Sequence, residues 1–180
     1  RHDLYVVSDE IYEHLVYGDF PTSIAALGDE IKERTIIVNG VSKTYAMTGW
    51  RIGYLAAPKA LAPVISRVQG HTTSNACSFA QYASITALSG GEDIIESMRK
   101  EFDERRKYMI SRLDALNLTY IKPEGAFYLF VDVSKYFGKE VDGNKIDGSM
   151  SFASILTDYG VAVIPGLPFH ADNFVRLSYA

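Results

Sequence analysis

Two short runs, Leu4, Tyr5, Val6, Val7 and Thr35, Ile36, Ile37, Val38, limit what this chain can fold into more than anything else in it. Both are continuously apolar and rich in β-branched residues, the pattern of strands covered on both faces. The residues between them leave room for a crossover, so the two runs are expected to be neighbouring parallel strands. Residues 51–56 form the next strand-like run, and only a loop containing Gly40 and Gly49 separates it from Val38. A parallel return normally needs about a dozen residues or more, usually with a helix. The third strand is therefore expected to run antiparallel to the second, in an α/β unit.

Helical spacing takes over after this sheet. Leu61, Val64, Ile65 and Val68 follow the i, i+3, i+4, i+7 rule within residues 58–70, and Ser78 is placed to cap a helix that ends at Gly90 and Gly91. From residue 92 to 116, Ile95, Met98, Phe102, Met109, Leu113 and Leu116 share one stripe, with Arg105 in the slot where an apolar residue is missing. The stripe is too short and interrupted for a coiled coil. Tyr120 and Ile121, residues 127–131, residues 161–164 and residues 174–177 read as strands, residues 151–159 as a helix, and residues 138–148 as a surface loop. A domain change is expected near residue 91, giving domains 1–90 and 91–180, with the long helix as hinge to a smaller α+β unit.

Charge and cysteine content exclude several classes of function. The 18 Lys and Arg residues against 22 Asp and Glu give a net charge of −4, so no basic surplus exists for a phosphate backbone, and no nucleic-acid partner is expected. No apolar run approaches the roughly 20 residues that cross a bilayer, and no membrane association is expected. Cys77 is the single cysteine, which rules out an intramolecular disulfide and points to a reducing, cytoplasmic setting. His2, His14, His71 and His170 are scattered without an i, i+4 pair, so no metal site is expected. Residues 142–147 resemble a calcium loop only until Ile146 falls where a ligand is needed, and Asn117, Leu118, Thr119 form an idle sequon. The chain opens at Arg1 and enters an apolar run at Leu4, so its natural start is expected upstream.

The densest chemical signal is the segment 40–53, which reads Gly-Val-Ser-Lys-Thr-Tyr-Ala-Met-Thr-Gly-Trp-Arg-Ile-Gly. Lys43 sits in a tight loop beyond a strand end, where ligands of open α/β sheets collect. A primary amine held there, beside the cation Arg51, is the group that Schiff-base chemistry needs. A solvated loop lysine beside a structural arginine accounts for the same letters.

Residues 40–53 resemble the pyridoxal-phosphate attachment signature of the class I aminotransferases, fold type I. The resemblance implies that Lys43 forms the Schiff base with the cofactor and shuttles the proton at the α-carbon. Arg51, eight residues on, would hold the cofactor phosphate, as a planar guanidinium can with two parallel hydrogen bonds. Residues 8–12, Ser-Asp-Glu-Ile-Tyr, resemble the family's Asp-x-x-Tyr element. Asp9 would pair with the pyridinium nitrogen, which makes the ring an electron sink, and Tyr12 would bond the ring oxygen. Taken by themselves, Asp9 and Glu10 are equally an acidic pair at a helix start. The C-terminal strand with Arg176 resembles the one whose arginine binds the substrate carboxylate, and a charge inside an apolar strand needs a partner or a task. Where many relatives carry a hydroxyl, this chain has Gly40, and Ser42 is expected to supply a phosphate contact instead.

The resemblance covers the C-terminal portion of the family's length. It implies the latter part of the large, mostly parallel cofactor domain over 1–90, then the hinge helix and an incomplete small α+β domain over 91–180. The subgroup most similar is the prokaryotic aspartate aminotransferases. The expected activity moves an amino group between an amino acid, aspartate, and a 2-oxo acid such as 2-oxoglutarate, with pyridoxal 5'-phosphate as cofactor and a homodimer for the full-length protein. A β-lyase or related carbanion enzyme uses the same residues, and an inactive fragment of an aminotransferase is the third reading.

Overall fold

Parallel pairing of the first two apolar runs organises the N-terminal part of the chain. In the computed structural model, which describes residues 2–180, β1 (Val6–Asp9) pairs with β2 (Thr35–Gly40) in the register Val6 with Thr35 through Asp9 with Val38. β3 (Gly53–Ala56) returns antiparallel on the other side of β2, Gly40 opposite Gly53, as the short intervening loop requires. The crossover from β1 to β2 uses a turn after Asp9, a single 3-10 turn at Ile24–Ala26 and the short helix α1 (Asp29–Lys32).

Alternation assigns the two faces of this sheet. Ser8, Thr35, Ile37 and Asn39 share one face, and Thr35 and Asn39 are buried there. Val7, Val38 and Leu55 share the other and are 68%, 37% and 42% exposed. The expectation of strands covered on both faces is thus met on one face only: three strands and the helices that follow supply no second layer over Val7. The same holds for α2 (Ala62–Thr73), where Val64 and Val68 of the apolar stripe face solvent. In α3 (Ser78–Leu88), Ala80 and Ser84 are buried while Phe79 and Tyr82 are exposed. Cys77, not Ser78, occupies its N-cap position, and Ser78 is already helical.

The chain forms two compact units, Arg1–Arg99 and Lys100–Ala180, and the division falls inside the long helix α4 (Glu92–Ala115). On α4 the inward-facing cation is Arg106, which is buried, and not Arg105, which is exposed and pairs with Glu101. Arg106 donates from Nε and Nη2 to Asp103 Oδ1 at 2.8 and 2.6 Å and from Nη1 to the Pro123 carbonyl at 3.1 Å. Asp103 also meets Lys107 Nζ at 2.6 Å. A guanidinium with several directed acceptors tolerates burial that an unpaired one would not.

In the second unit β4 (Tyr120–Ile121), β5 (Tyr128–Asp132), β9 (Phe174–Ser178) and β8 (Ile164–Pro165) form an antiparallel sheet in that order. Leu129, Val131 and Val175 point into the core, joined by Leu113, Val133 and Ile155 of α5 (Ser149–Asp158). The strand expected at residues 161–164 shrinks to Ile164 and Pro165. Gly160, at φ 78°, turns the chain out of α5, and Val161 N still donates to Leu156 O in closing that helix. The expected loop at residues 138–148 contains a hairpin, β6 (Glu140–Val141) with β7 (Asn144–Lys145), around Asp142 and Gly143 at φ 49° and 79°. Asp-Gly favours such a turn because both central residues need positive φ. Among the described residues no helix is long and apolar enough to cross a membrane.

Burial works to raise the Asp103 carboxyl, but hydrogen bonds from Lys107 and Arg106 outweigh it and hold the group below its ordinary value. A depressed folded-state carboxyl stabilises the fold above the unfolded carboxylate range and loses that contribution as acid protonates it. Asp103→Asn is therefore expected to cost about 1–3 kcal/mol at pH 7. The gap from the parent should narrow as the pH falls below the ordinary carboxylate range. Urea unfolding across pH measures this, and a gap independent of pH would contradict it.

Candidate functional site

Because β1 and β2 are parallel, their carboxyl ends open on the same edge of the sheet, and the turn after Asp9 emerges beside the loop after Gly40. Asp9 closes β1 and is exposed, and its Oδ1 accepts a hydrogen bond from Ile11 N at 3.2 Å that bends the chain into the turn carrying Tyr12. Glu10 N donates to Val38 O at 2.9 Å, which continues the parallel ladder one residue past the strand.

The loop 41–52 is anchored from its first residue, since Val41 and Thr44 are buried. Half-buried Ser42 and Lys43 lie between these anchors, and the Lys43 ammonium stands 5.9 Å from the centroid of the Tyr12 ring. Arg51 ends the 3-10 turn at Thr48–Trp50 in a left-handed backbone conformation, φ 56°, and its Nη1 donates to Thr48 O at 2.8 Å. This conformation aims its exposed side chain back over the loop. Ser42 and Arg51 line one cavity of about 180 Å³ together with Ile11, Asn39, Gly40, Ile52 and Gly53.

Gly40 lets the two strands converge on that cavity. A Cβ there would lie 2.9 Å from Ile52 O and 3.2 Å from Gly53 Cα. This close approach gives a physical reason for the glycine where a hydroxyl residue was the family expectation.

Asn39 was not among the sequence candidates. It is buried at the end of β2, its Nδ2 donates to Glu13 Oε1 at 2.6 Å, and its Oδ1 accepts from Gly40 N at 2.7 Å. It ties the strand end to the turn that carries Tyr12. Its signal was visible as an amide following three β-branched apolar residues, because a buried amide must find partners. Glu10 Oε1 likewise accepts from Ser8 Oγ and Ser23 Oγ at 3.0 and 2.7 Å, so its role is to pin the crossover. The Tyr45 phenol is raised by burial and then by Glu13 and Glu92, and stays neutral.

The donors gathered here suit a phosphorylated ligand: a hydroxyl, a guanidinium and a cavity narrowed by glycine backbone, with a primary amine and a phenol adjacent. Asp9, Tyr12, Ser42, Lys43 and Arg51 all lie at this end of the first unit's sheet.

Arg176 belongs to the second unit. Alternation along β9 puts it on the face opposite Val175, with Phe130 and Ile164 as its cross-strand neighbours. It is half-buried on a face otherwise built of Tyr128, Phe130 and Phe174.

Comparisons with known proteins identify the family. The profile of the family described as Aminotransferase class I and II matches residues 1–180, and the chain belongs to that family. It is 45% identical over 181 residues to a probable aspartate/prephenate aminotransferase of Rickettsia prowazekii (strain Madrid E), covering 97% of this chain and 45% of that one. An aspartate aminotransferase of Geobacillus stearothermophilus is 43% identical over 181 residues, covering 99% and 45%. Among solved structures, the aspartate aminotransferase from Rhizobium meliloti superposes with a TM-score of 0.91 at 40% identity, covering 97% of this chain and 45% of that chain. The one from Thermus thermophilus with maleate gives 0.87 at 38% identity, covering 98% and 44%. The chain thus spans a little under half the length of these relatives, and its α/β architecture is that of fold type I.

Gly40→Ala is expected to force β2 and β3 apart at the cavity and to destabilise the fold by about 1–3 kcal/mol. Thermal unfolding checks this, and an unchanged midpoint would show that the strands converge without needing glycine.

Proposed function

We propose that the protein to which this chain belongs is an aspartate-type aminotransferase. It moves the amino group of aspartate to a 2-oxo acid such as 2-oxoglutarate, with pyridoxal 5'-phosphate as cofactor. The observation that carries the reading is the Lys43 amine beside the Tyr12 ring, next to the cavity lined by Ser42 and Arg51, in a chain of this family. The names of the relatives support transfer rather than β-elimination.

When bound, pyridoxal phosphate supplies an aldehyde that condenses with amines and a protonated pyridine that withdraws electrons from the substrate's α-carbon. Ser42 and Arg51 hold the phosphate, the guanidinium by paired N–H donors. Tyr12 donates its hydroxyl to the ring oxygen. Asp9 keeps the proton on the pyridine nitrogen, which requires an anion rather than an amide. Lys43 would hold the cofactor through its Nζ, and the same amine would move a proton at the substrate's α-carbon. Arg176 binds the substrate carboxylate. The exposed faces of the first unit and the family's known assembly favour a homodimer of the full-length protein. The lone cysteine favours a cytoplasmic location.

Lys43→Ala in the full-length enzyme is expected to lower transamination of aspartate with 2-oxoglutarate by about 10²–10⁴-fold or more. Retention of most of the turnover would remove Lys43 from the reaction.

Asp9→Asn preserves shape and is expected to lower kcat far more than it weakens cofactor binding. Steady-state kinetics together with a cofactor titration separates the two effects, and a parental kcat would exclude the carboxylate from the chemistry.

A further inference from the structure

Arg176 has aromatic neighbours from two separate elements. Its Cζ lies 4.4 Å from the centroid of Tyr128, at the start of β5, and 5.1 Å from that of Phe169, in the turn after β8. Tyr128 pairs in register with Ser178 and so lies diagonal to Arg176, within reach of a long side chain. Phe169 sits in a turn with no strand partner, and its 48% exposure means that folding of the core does not account for its presence there. It packs edge-on to Phe130 at 6.3 Å, and Phe130 stacks on Phe174 at 4.7 Å.

The turn that presents Phe169 is fixed from several sides. Gly166 is so closely enclosed that a Cβ would fall 2.1 Å from Ala171 O and 2.4 Å from Phe174 O. Leu167 N donates to Ser149 Oγ at 3.0 Å, and Ser149, fully buried, donates in turn to Asp172 Oδ1 at 2.7 Å. His170 closes the turn in the left-handed region at φ 57°. Arg176 itself has no carboxylate partner and no hydrogen-bond acceptor among the described residues, so the rings are what orient it.

We propose that Phe169, together with Tyr128, is a positioning residue that holds the Arg176 guanidinium in place for a substrate carboxylate. The inference rests on the reading of Arg176 as the carboxylate-binding residue. Contacts of a cation with two ring faces restrict its rotation without using any N–H donor. An ion pair with a protein carboxylate would also fix the guanidinium, but it would occupy those donors and compete with substrate. The rings leave the donors available for a bidentate pair with a planar carboxylate, and rotational freedom given up before binding is not lost again on binding.

The test uses the full-length enzyme with its cofactor and three variants. Phe169→Leu keeps an apolar side chain and removes the ring, Phe169→Tyr keeps the ring, and Arg176→Ala removes the cation. The readouts are kcat and KM for aspartate and the dissociation constant of maleate, a dicarboxylate without an amino group to transfer. Phe169→Leu is expected to raise KM and the maleate constant by about 3–30-fold, the loss of one cation–π contact, with kcat unchanged. Phe169→Tyr should restore both. Parental values in Phe169→Leu, with Arg176→Ala strongly weakened, would overturn the positioning role and leave the reading of Arg176 standing. Equal losses in the Leu and Tyr variants would mean that the turn and not the ring matters, which also overturns it. Unchanged maleate binding in Arg176→Ala would overturn the reading of Arg176 and the inference together.

Discussion

The hydrogen bonds between β1 and β2 are the constraint on which the first unit's site depends. A parallel pair sends both strand ends to one edge, so the turn after Asp9 and the loop after Gly40 leave the sheet as neighbours although 31 positions separate those residues. An antiparallel pair would have sent them to opposite edges. The ladder even extends past the strand, through Glu10 N and Val38 O, and Asn39 adds a side-chain tie to Glu13. Tyr12 therefore faces Lys43 because of backbone pairing, with little demand on local side-chain packing.

In the second unit the corresponding anchor is polar and buried. Asp172 receives both the backbone N and the hydroxyl of Ser149 at the start of α5, while the same hydroxyl accepts from Leu167 N. A carboxylate at a helix N-terminus meets unpaired N–H groups and the positive end of the helix dipole. One serine thus joins the helix, the turn of residues 166–171 and the approach to β9. The aromatic face around Arg176 is displayed by elements whose positions this clasp sets.

Element type and strand direction were legible in the sequence because they follow from composition and connection length. The antiparallel return at β3 followed from the brevity of loop 41–52, and the long helix from the spacing of Ile95 through Leu113. What escaped was settled by partners distant in sequence. Arg105 and Arg106 are adjacent letters, and only the packing around Asp103 and the Pro123 carbonyl decides which of them turns inward. Residues 161–163 have strand composition, but the end of α5 holds Val161 first. The hairpin at Asp142 and Gly143 was readable from its dipeptide and was obscured by the charged residues around it. For the candidate site, the segment 40–53 and the Asp-x-x-Tyr element supplied the candidates, whereas the tie from Asn39 to Glu13 and the approach of Phe169 to Arg176 join residues far apart in sequence.

The loop bearing Lys43 and Arg51 begins and ends at residues directly opposite each other in the sheet, Gly40 and Gly53. Its perimeter is therefore closed, and each side chain's heading is set by its count from either end. Ala46, Thr48 and Gly49 are exposed, and none of them takes part in lining the cavity. Their number still matters. One residue gained or lost would shift Arg51 relative to Ser42 while leaving the strands intact. A closed loop of this kind absorbs a change of side chain at its exposed positions more easily than a change of length, because the pairing of Gly40 with Gly53 leaves no slack to take up an extra residue.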